Sequence, residues 1–319
     1  MSRYDQLVKH AIYMRGQSTR VVREVAVFLQ DLEVDILAQI ENGFSGSKKS
    51  PAQINAVLRQ IKINMDEMFQ EMGPELKFRL ASLGEYETKY AATFLATIKS
   101  QDAEDLVLLS RSALTSMITN NPFDGKILSE WITDQSNSMR KSVWQQIRLG
   151  IGQGEDVGQM TKRLRGLGAG AEGAFKMNRR QTEAMVRTAV NHTSNEAFRL
   201  TFAENDVEKY QISAVLDSRT SKTCAGLDGK VFRMDDPKRL MPPFHPNCRT
   251  IVVPVIDNEP FESNYEDWLG RQDKNTQKKV LGPARFKLWQ AGEPLGNFID
   301  SEGHVLTLEQ LGVEEGIII

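Results

Sequence analysis

Leu216-Asp217-Ser218-Arg219-Thr220, then Cys224, then Pro242-Pro243-Phe244-His245-Pro246-Asn247-Cys248-Arg249-Thr250, then the apolar run Ile251-Val252-Val253: the fold is decided in this stretch. It holds both cysteines of the 319 residues, with a histidine three positions before the second. Two thiolates and an imidazole are donors that a Zn²⁺ site takes. Each Pro locks its own φ, so the His-Pro-Asn-Cys turn would hold two of those donors at short range. The flanks read as β structure. Tyr210, Ile212, Ala214 and Leu216 alternate with Gln211, Ser213 and Val215, which predicts a half-buried strand. Lys230-Val231-Phe232-Arg233 predicts a short strand after the hairpin-type pair Asp228-Gly229. The β-branched Ile251-Val252-Val253 predicts a central strand.

The metal candidates are Cys224, His245 and Cys248, with Asp217 as a fourth donor; His192 and water are alternatives for that position. The spacing is not the paired Cys-x-x-Cys of common zinc modules. A second reading stays open, in which two buried thiols and a hydrogen-bonded His hold a loop. Arg249 is placed to reach Asp217 from the neighbouring strand in a bidentate bridge.

Outward from this core, the N-terminal half predicts helices. Val21, Val25, Phe28, Leu32, Ile36 and Ile40 share one helical face, and Asn42-Gly43 ends it. Gly43 to Ser50 reads as a polar linker. Ser50-Pro51 gives an N-cap followed by Pro at the first helical position. Ile54, Val57, Ile61, Met65, Met68 and Met72 form the next stripe, which Gly73-Pro74 is expected to break. A third helix carries Leu76, Leu80, Leu83, Tyr86, Tyr90, Phe94 and Ile98. Residues 103–119 predict a further helix, and a long one begins near Lys126 and ends in Gly150-Ile151-Gly152-Gln153-Gly154. After a short helix and the glycine-rich link 166–173, residues 179–204 predict another. The first stripe suits either a separate docking arm or an internal bundle.

The length allows two domains. The formal charge of −2 excludes a wholly basic nucleic-acid binder, but it hides an asymmetry. Residues 140–250 carry 19 basic and 12 acidic side chains, a net of +7, between ends of −3 and −6. Arg163, Arg165, Arg179 and Arg180 flank the glycine-rich link and are candidate contacts to non-specific double-stranded DNA. A solvated loop is the other reading. Two cysteines do not make a disulfide framework, the N-terminus lacks a signal peptide's apolar segment, and no apolar run is long enough to span a bilayer. These features lead to an expectation of a protein made and kept in a reducing cytoplasm. No Gly-x-Ser-x-Gly, Walker-type or His-Glu-x-x-His motif supports catalysis.

The opening stretch resembles the signature of the phage head morphogenesis family, the Mu protein F-like minor capsid proteins. The residues that carry the resemblance are Asp217, Arg219, Thr220, Cys224, Asp228-Gly229, Pro242-Pro243, His245-Pro246 and Cys248-Arg249. It extends through Arg148–Glu155, Arg187–Ala197, Asp267-Trp268-Leu269, Leu281–Arg285, Trp289–Gly292 and Leu306–Leu311, so it spans roughly residues 126–311. The apolar stripes give a helical region 1–125, which the resemblance does not cover; joined to it, the resemblance implies an α+β fold with a minor head domain 126–256 carrying a small antiparallel sheet and a C-terminal extension 257–319. It implies a low-copy structural protein of the virion, inside the head near the portal vertex and in the host cytoplasm during assembly. The portal protein, the major capsid or scaffolding protein and packaged DNA are its implied partners, with no membrane. A metal-dependent nuclease delivered with the genome is the alternative, with His192 as the candidate base.

Overall fold

The stripe that begins at Val21 folds as expected into a long helix, α1 (Arg3–Gly43). This computed structural model describes residues 3–44, 50–167, 173–215, 217–257, 259–260 and 265–312. Leu216, the middle of the 43–50 linker and most of the 166–173 link lie outside those residues. Gly43 permits a close approach, since a Cβ there would collide with the Val57 side chain. Ser50 caps α2 (Pro51–Lys99) as expected: its Oγ accepts from Gln53 N at 3.3 Å and its own N–H donates to Gln53 Oε1 at 2.9 Å.

Gly73-Pro74 does not break α2, which runs through both residues. Pro74 costs about 3 kcal/mol in a helix interior. It lies on the exposed face, while Met65, Met72, Leu76 and Leu80 continue one buried stripe past it. Each such side chain contributes about 1.5–3 kcal/mol when buried, so the stripe outweighs one lost hydrogen bond.

The helix expected over 103–119 is also shorter. A single 3₁₀ turn covers Ala103–Asp105, and α3 is Arg111–Asn120. Tertiary bonds claim the backbone between them. Val107 N donates to Asn205 Oδ1 at 2.8 Å, Asn205 Nδ2 donates to Val107 O at 2.9 Å, and Leu109 N donates to Thr88 Oγ1 at 3.1 Å. α4 (Leu128–Gly152) and α5 (Val157–Arg165) follow the sequence reading, and α6 (Ala174–Glu204) starts five residues earlier than expected. Asp156 and Gln159 close a capping box on α5.

The sheet has three antiparallel strands in the order β2-β1-β3: β1 (Lys209–Ser213), β2 (Val231–Arg233) and β3 (Ile251–Val255). Two strand expectations need correction. β1, not β3, is central, and β3 carries Pro254, whose missing N–H suits an edge. β1 is buried on both faces rather than one. Tyr210, Ile212 and Val252 pack with Ala91, Leu95, Phe198 and Phe202, while Val253 packs with Leu7, Phe94 and Ile98. A six-residue helix that the sequence reading missed, α7 (Lys222–Leu227), stands between β1 and β2. Asp228-Gly229 therefore joins α7 to β2, with Gly229 at φ 80°. α8 (Tyr265–Gly270), α9 (Lys274–Leu281) and α10 (Pro283–Gln290) share a core of Tyr265, Leu269, Leu281 and Phe286 with Ala225 of α7.

The chain forms two compact units. One comprises residues 1–14, 83–114 and 191–319 and contains the sheet. Inside it, Glu87 Oε2 lies 3.0 Å from both His10 Nε2 and Ser194 Oγ, and the His10 ring stacks on Tyr90 at 3.6 Å. The other comprises residues 15–82 and 115–190 and is built from helices. Within it the α1 stripe is covered: Leu32 is 3% and Ile36 is 1% exposed. Of the two arrangements open to the sequence, the described residues of this stretch take the internal bundle.

Candidate metal centre

α6 sets the position of the strand that leads out of the His-Pro-Asn-Cys turn. Asn191 Nδ2 and Asn195 Nδ2 donate to Thr250 O at 3.0 and 3.1 Å, and Val252 N donates to Asn195 Oδ1 at 2.8 Å. On the other side, Asp228 fixes the end of β1. Its two carboxylate oxygens accept from Ala214 N and Tyr265 N, each at 2.6 Å. Burial pushes the Asp228 carboxyl up to about 6 against those two donors. Tyr265 Oη then donates to Asp217 O at 2.9 Å. Ser221 caps α7, accepting from Cys224 N at 3.1 Å. The turn itself closes with Cys248 N donating to His245 O at 3.1 Å, and Asn247 adopts φ 60°.

These anchors bring the three expected donors together. Cys224 Sγ lies 3.7 Å from Cys248 Sγ and 3.3 Å from His245 Nε2, and all three donor atoms lie within 4.8 Å of one another. Zinc bonds of about 2.3 Å to sulfur and about 2.0 Å to nitrogen at tetrahedral angles require edges of roughly 3.8 and 3.5 Å. The two edges that Cys224 Sγ makes therefore match those of a Zn²⁺ site, and the three residues could hold such an ion. His245 Nδ1 lies 2.9 Å from Pro246 O, which can only accept, so Nδ1 carries a proton, and in the neutral ring Nε2 offers its lone pair to the cluster. Metal-ligating imidazoles commonly have such a carbonyl behind them. Both cysteines are free and buried. The hydrogen bond between them shifts Cys248 down and, with burial, Cys224 up; hydrogen bonding to Cys248 raises His245 against the opposing effect of burial.

Asp217 is not among the clustered donors. Its Oδ2 accepts from Arg249 Nη1 at 2.6 Å and its Oδ1 from Arg249 Nη2 at 2.8 Å, the bidentate bridge expected from the sequence. The guanidinium holds the Asp217 carboxyl well below the usual carboxylate range. Arg219 N also donates to Asp217 Oδ1 at 2.9 Å, closing a local turn. His192 is buried on α6. Ser221 went unnoticed in the sequence reading, and its Oγ lies 2.9 Å from His245 Nε2. The signal was present: Ser221 precedes Cys224 by the same interval that separates His245 from Cys248.

Of the four arginines considered for DNA, two are engaged by carboxylates. Arg163 Nε donates to Glu155 Oε2 at 3.0 Å, and Arg179 Nη2 to Glu33 Oε1 at 2.9 Å. Arg165 and Arg180 are exposed.

Residues 141–253 match the family model described as phage Mu protein F like protein. The match contains every donor of the cluster, the Asp217–Arg249 bridge and the Asn191/Asn195 clamp. No curated protein and no solved structure matches the chain.

Proposed function

We propose that this chain, whose residues 141–253 belong to the phage Mu protein F-like family, is a structural minor capsid protein that acts in phage head morphogenesis. The observation that carries the reading is the family match, together with the placing of the cluster, the Asp217–Arg249 bridge and the Asn191/Asn195 clamp inside the matched region. In this reading the protein is present in few copies, meets the portal during procapsid assembly and stays with the packaged DNA in the virion. Residues 126–256 serve as the head domain, 257–319 as its extension and 1–125 as the region that meets a portal, capsid or scaffolding subunit. Among the described residues no helix is long and apolar enough to cross a membrane.

The buried stripe of α1 cannot serve as a docking face, because its removal would open the bundle. The outer face of α1 carries Val27 and Val34, 52% and 65% exposed and one heptad apart. Val27→Asp with Val34→Asp lowers incorporation into procapsids roughly tenfold at unchanged Tm, a loss of about 1.4 kcal/mol in binding. Normal incorporation of the double variant would place the docking surface elsewhere. Purified protein that nicks plasmid with a divalent metal would favour the nuclease reading instead.

For DNA, Arg165 and Arg180 are the targets because both are exposed. Gel-shift affinity falls steeply with salt, and Arg165→Gln with Arg180→Gln reduces that dependence by about two phosphate contacts. Binding indifferent to salt contradicts this part of the proposal. Within the same reading the Cys224–His245–Cys248 cluster holds a structural Zn²⁺, which ties α7 to the turn before β3.

A further inference from the structure

We propose that the Ser221 hydroxyl is the fourth donor to the metal held by Cys224, His245 and Cys248, so that protein closes the centre. This rests on the reading that the cluster takes a metal. Two observations carry it. Ser221 Oγ lies 2.9 Å from His245 Nε2, one of the other donors, and receives the Cys224 backbone N–H at 3.1 Å, which holds it on the turn that carries the Cys224 thiol. The chain also supplies its donors as two pairs, Ser221-x-x-Cys224 and His245-x-x-Cys248. A two-residue gap is the spacing by which structural zinc sites take two ligands from one tight turn. Here the first pair sits at the cap and first turn of α7, and the second in the turn before β3.

The local chemistry agrees. Nδ1 of His245 donates to Pro246 O, so in the neutral ring Nε2 is an acceptor. The Ser221 O–H, the Cys224 thiol and the neighbouring Cys248 sulfur crowd around that one lone pair. A cation at the centre turns all four sets of lone pairs inward, whereas hydrogen bonding alone satisfies Nε2 with a single proton. Ser221 is the hydroxyl that reaches His245. A neutral hydroxyl is a weaker zinc donor than a thiolate. The centre is thus predicted to bind less tightly than a three-cysteine, one-histidine site, and to have no open position for a reactive water.

Cobalt reconstitution of the full-length protein tests this. Co²⁺ is added to the metal-free wild type, to Ser221→Cys and to Ser221→Asp, and the thiolate-to-cobalt charge-transfer and d–d bands are recorded. Asp caps helices as well as Ser, so the second variant keeps α7 intact if the first does not fold. Ser221→Cys gains a third thiolate's charge-transfer intensity and binds Co²⁺ roughly tenfold tighter or more. Ser221→Asp shifts the d–d bands and tightens binding without added charge transfer. If both variants keep the wild-type spectrum and affinity, Ser221 lies outside the coordination sphere and the proposal falls while the metal reading stands. If the wild type gives no thiolate charge transfer at all, the metal reading falls, and this proposal with it.

Discussion

Stripping the metal from full-length protein lowers Tm by about 10 °C or more, and Cys248→Ser reproduces the stripped protein. The size follows from what the cluster joins. Cys224 is on α7, while His245 and Cys248 lie in the turn before β3, so one ion held by the three would close the intervening loop that carries β2. By linkage, free metal at a thousand times its Kd stabilises the folded chain by about 4.1 kcal/mol, and that binding energy already includes the closing of the loop. Loss of either thiolate also leaves a buried sulfur and imidazole facing each other without a cation. Elemental analysis of protein purified without chelator, followed by calorimetry with and without chelator, checks both parts. The expected content is about one Zn²⁺ per chain. Metal-free protein with a Tm indifferent to chelator would mean that the thiols and His245 hold the loop by hydrogen bonds alone.

The pieces of this centre differed in how far the sequence revealed them. Cys224, His245 and Cys248 stood out because soft donors are scarce in the chain and fall in one stretch. The Asp217–Arg249 bridge was legible from strand register and side-chain chemistry. Ser221 is marked only by its interval to Cys224, a weak signal because serine is common and a common role of it is the one it also performs here, capping α7. The same limit applies in the helices. Periodicity located the stripes of α1 and α2, and a stripe long enough to be buried overrode Pro74. Periodicity could not show that Asn205 and Thr88 would draw residues 107–109 out of a helix, since those partners lie far along the chain. Nor could it show that Glu87, one charge among many on a helix, is buried against His10 and Ser194. The central place of β1 was equally hidden, because Ile251-Val252-Val253 is the more β-branched run and strand order is a tertiary property. The α+β class itself was legible: helical stripes first, then short alternating runs.

Arg249→Ala should cost about 2–3 kcal/mol at neutral pH, a Tm drop of roughly 5–10 °C. Two charge-assisted bonds of 2.6 and 2.8 Å are lost, and the pair is only 27% and 30% exposed, so solvent replaces the guanidinium poorly. The carboxylate left behind still holds the Arg219 turn, and its residue's carbonyl still accepts from Tyr265, so the damage stays local. The pH dependence separates charge from packing. Asp217 has a folded pKa below its unfolded value of about 3.9, because Arg249 favours the ionised form. Such a group contributes stability that is fully present above the unfolded pKa and declines as pH falls through that value toward the lower folded one. The gap between wild type and Arg249→Ala is therefore widest from about pH 5 upward and narrows progressively below about pH 4. Denaturant midpoints for both proteins at a series of pH values give the gap directly. Comparing the difference also removes any acid sensitivity that a metal held by the cluster would impose on both. Arg249→Lys keeps the charge but not the two-pronged geometry, so it should recover part of the loss and keep the same direction of pH dependence. A gap that stays constant down to pH 3 would assign the role of Arg249 to packing of its stem, and the bridge would then be a consequence of the fold rather than one of its supports.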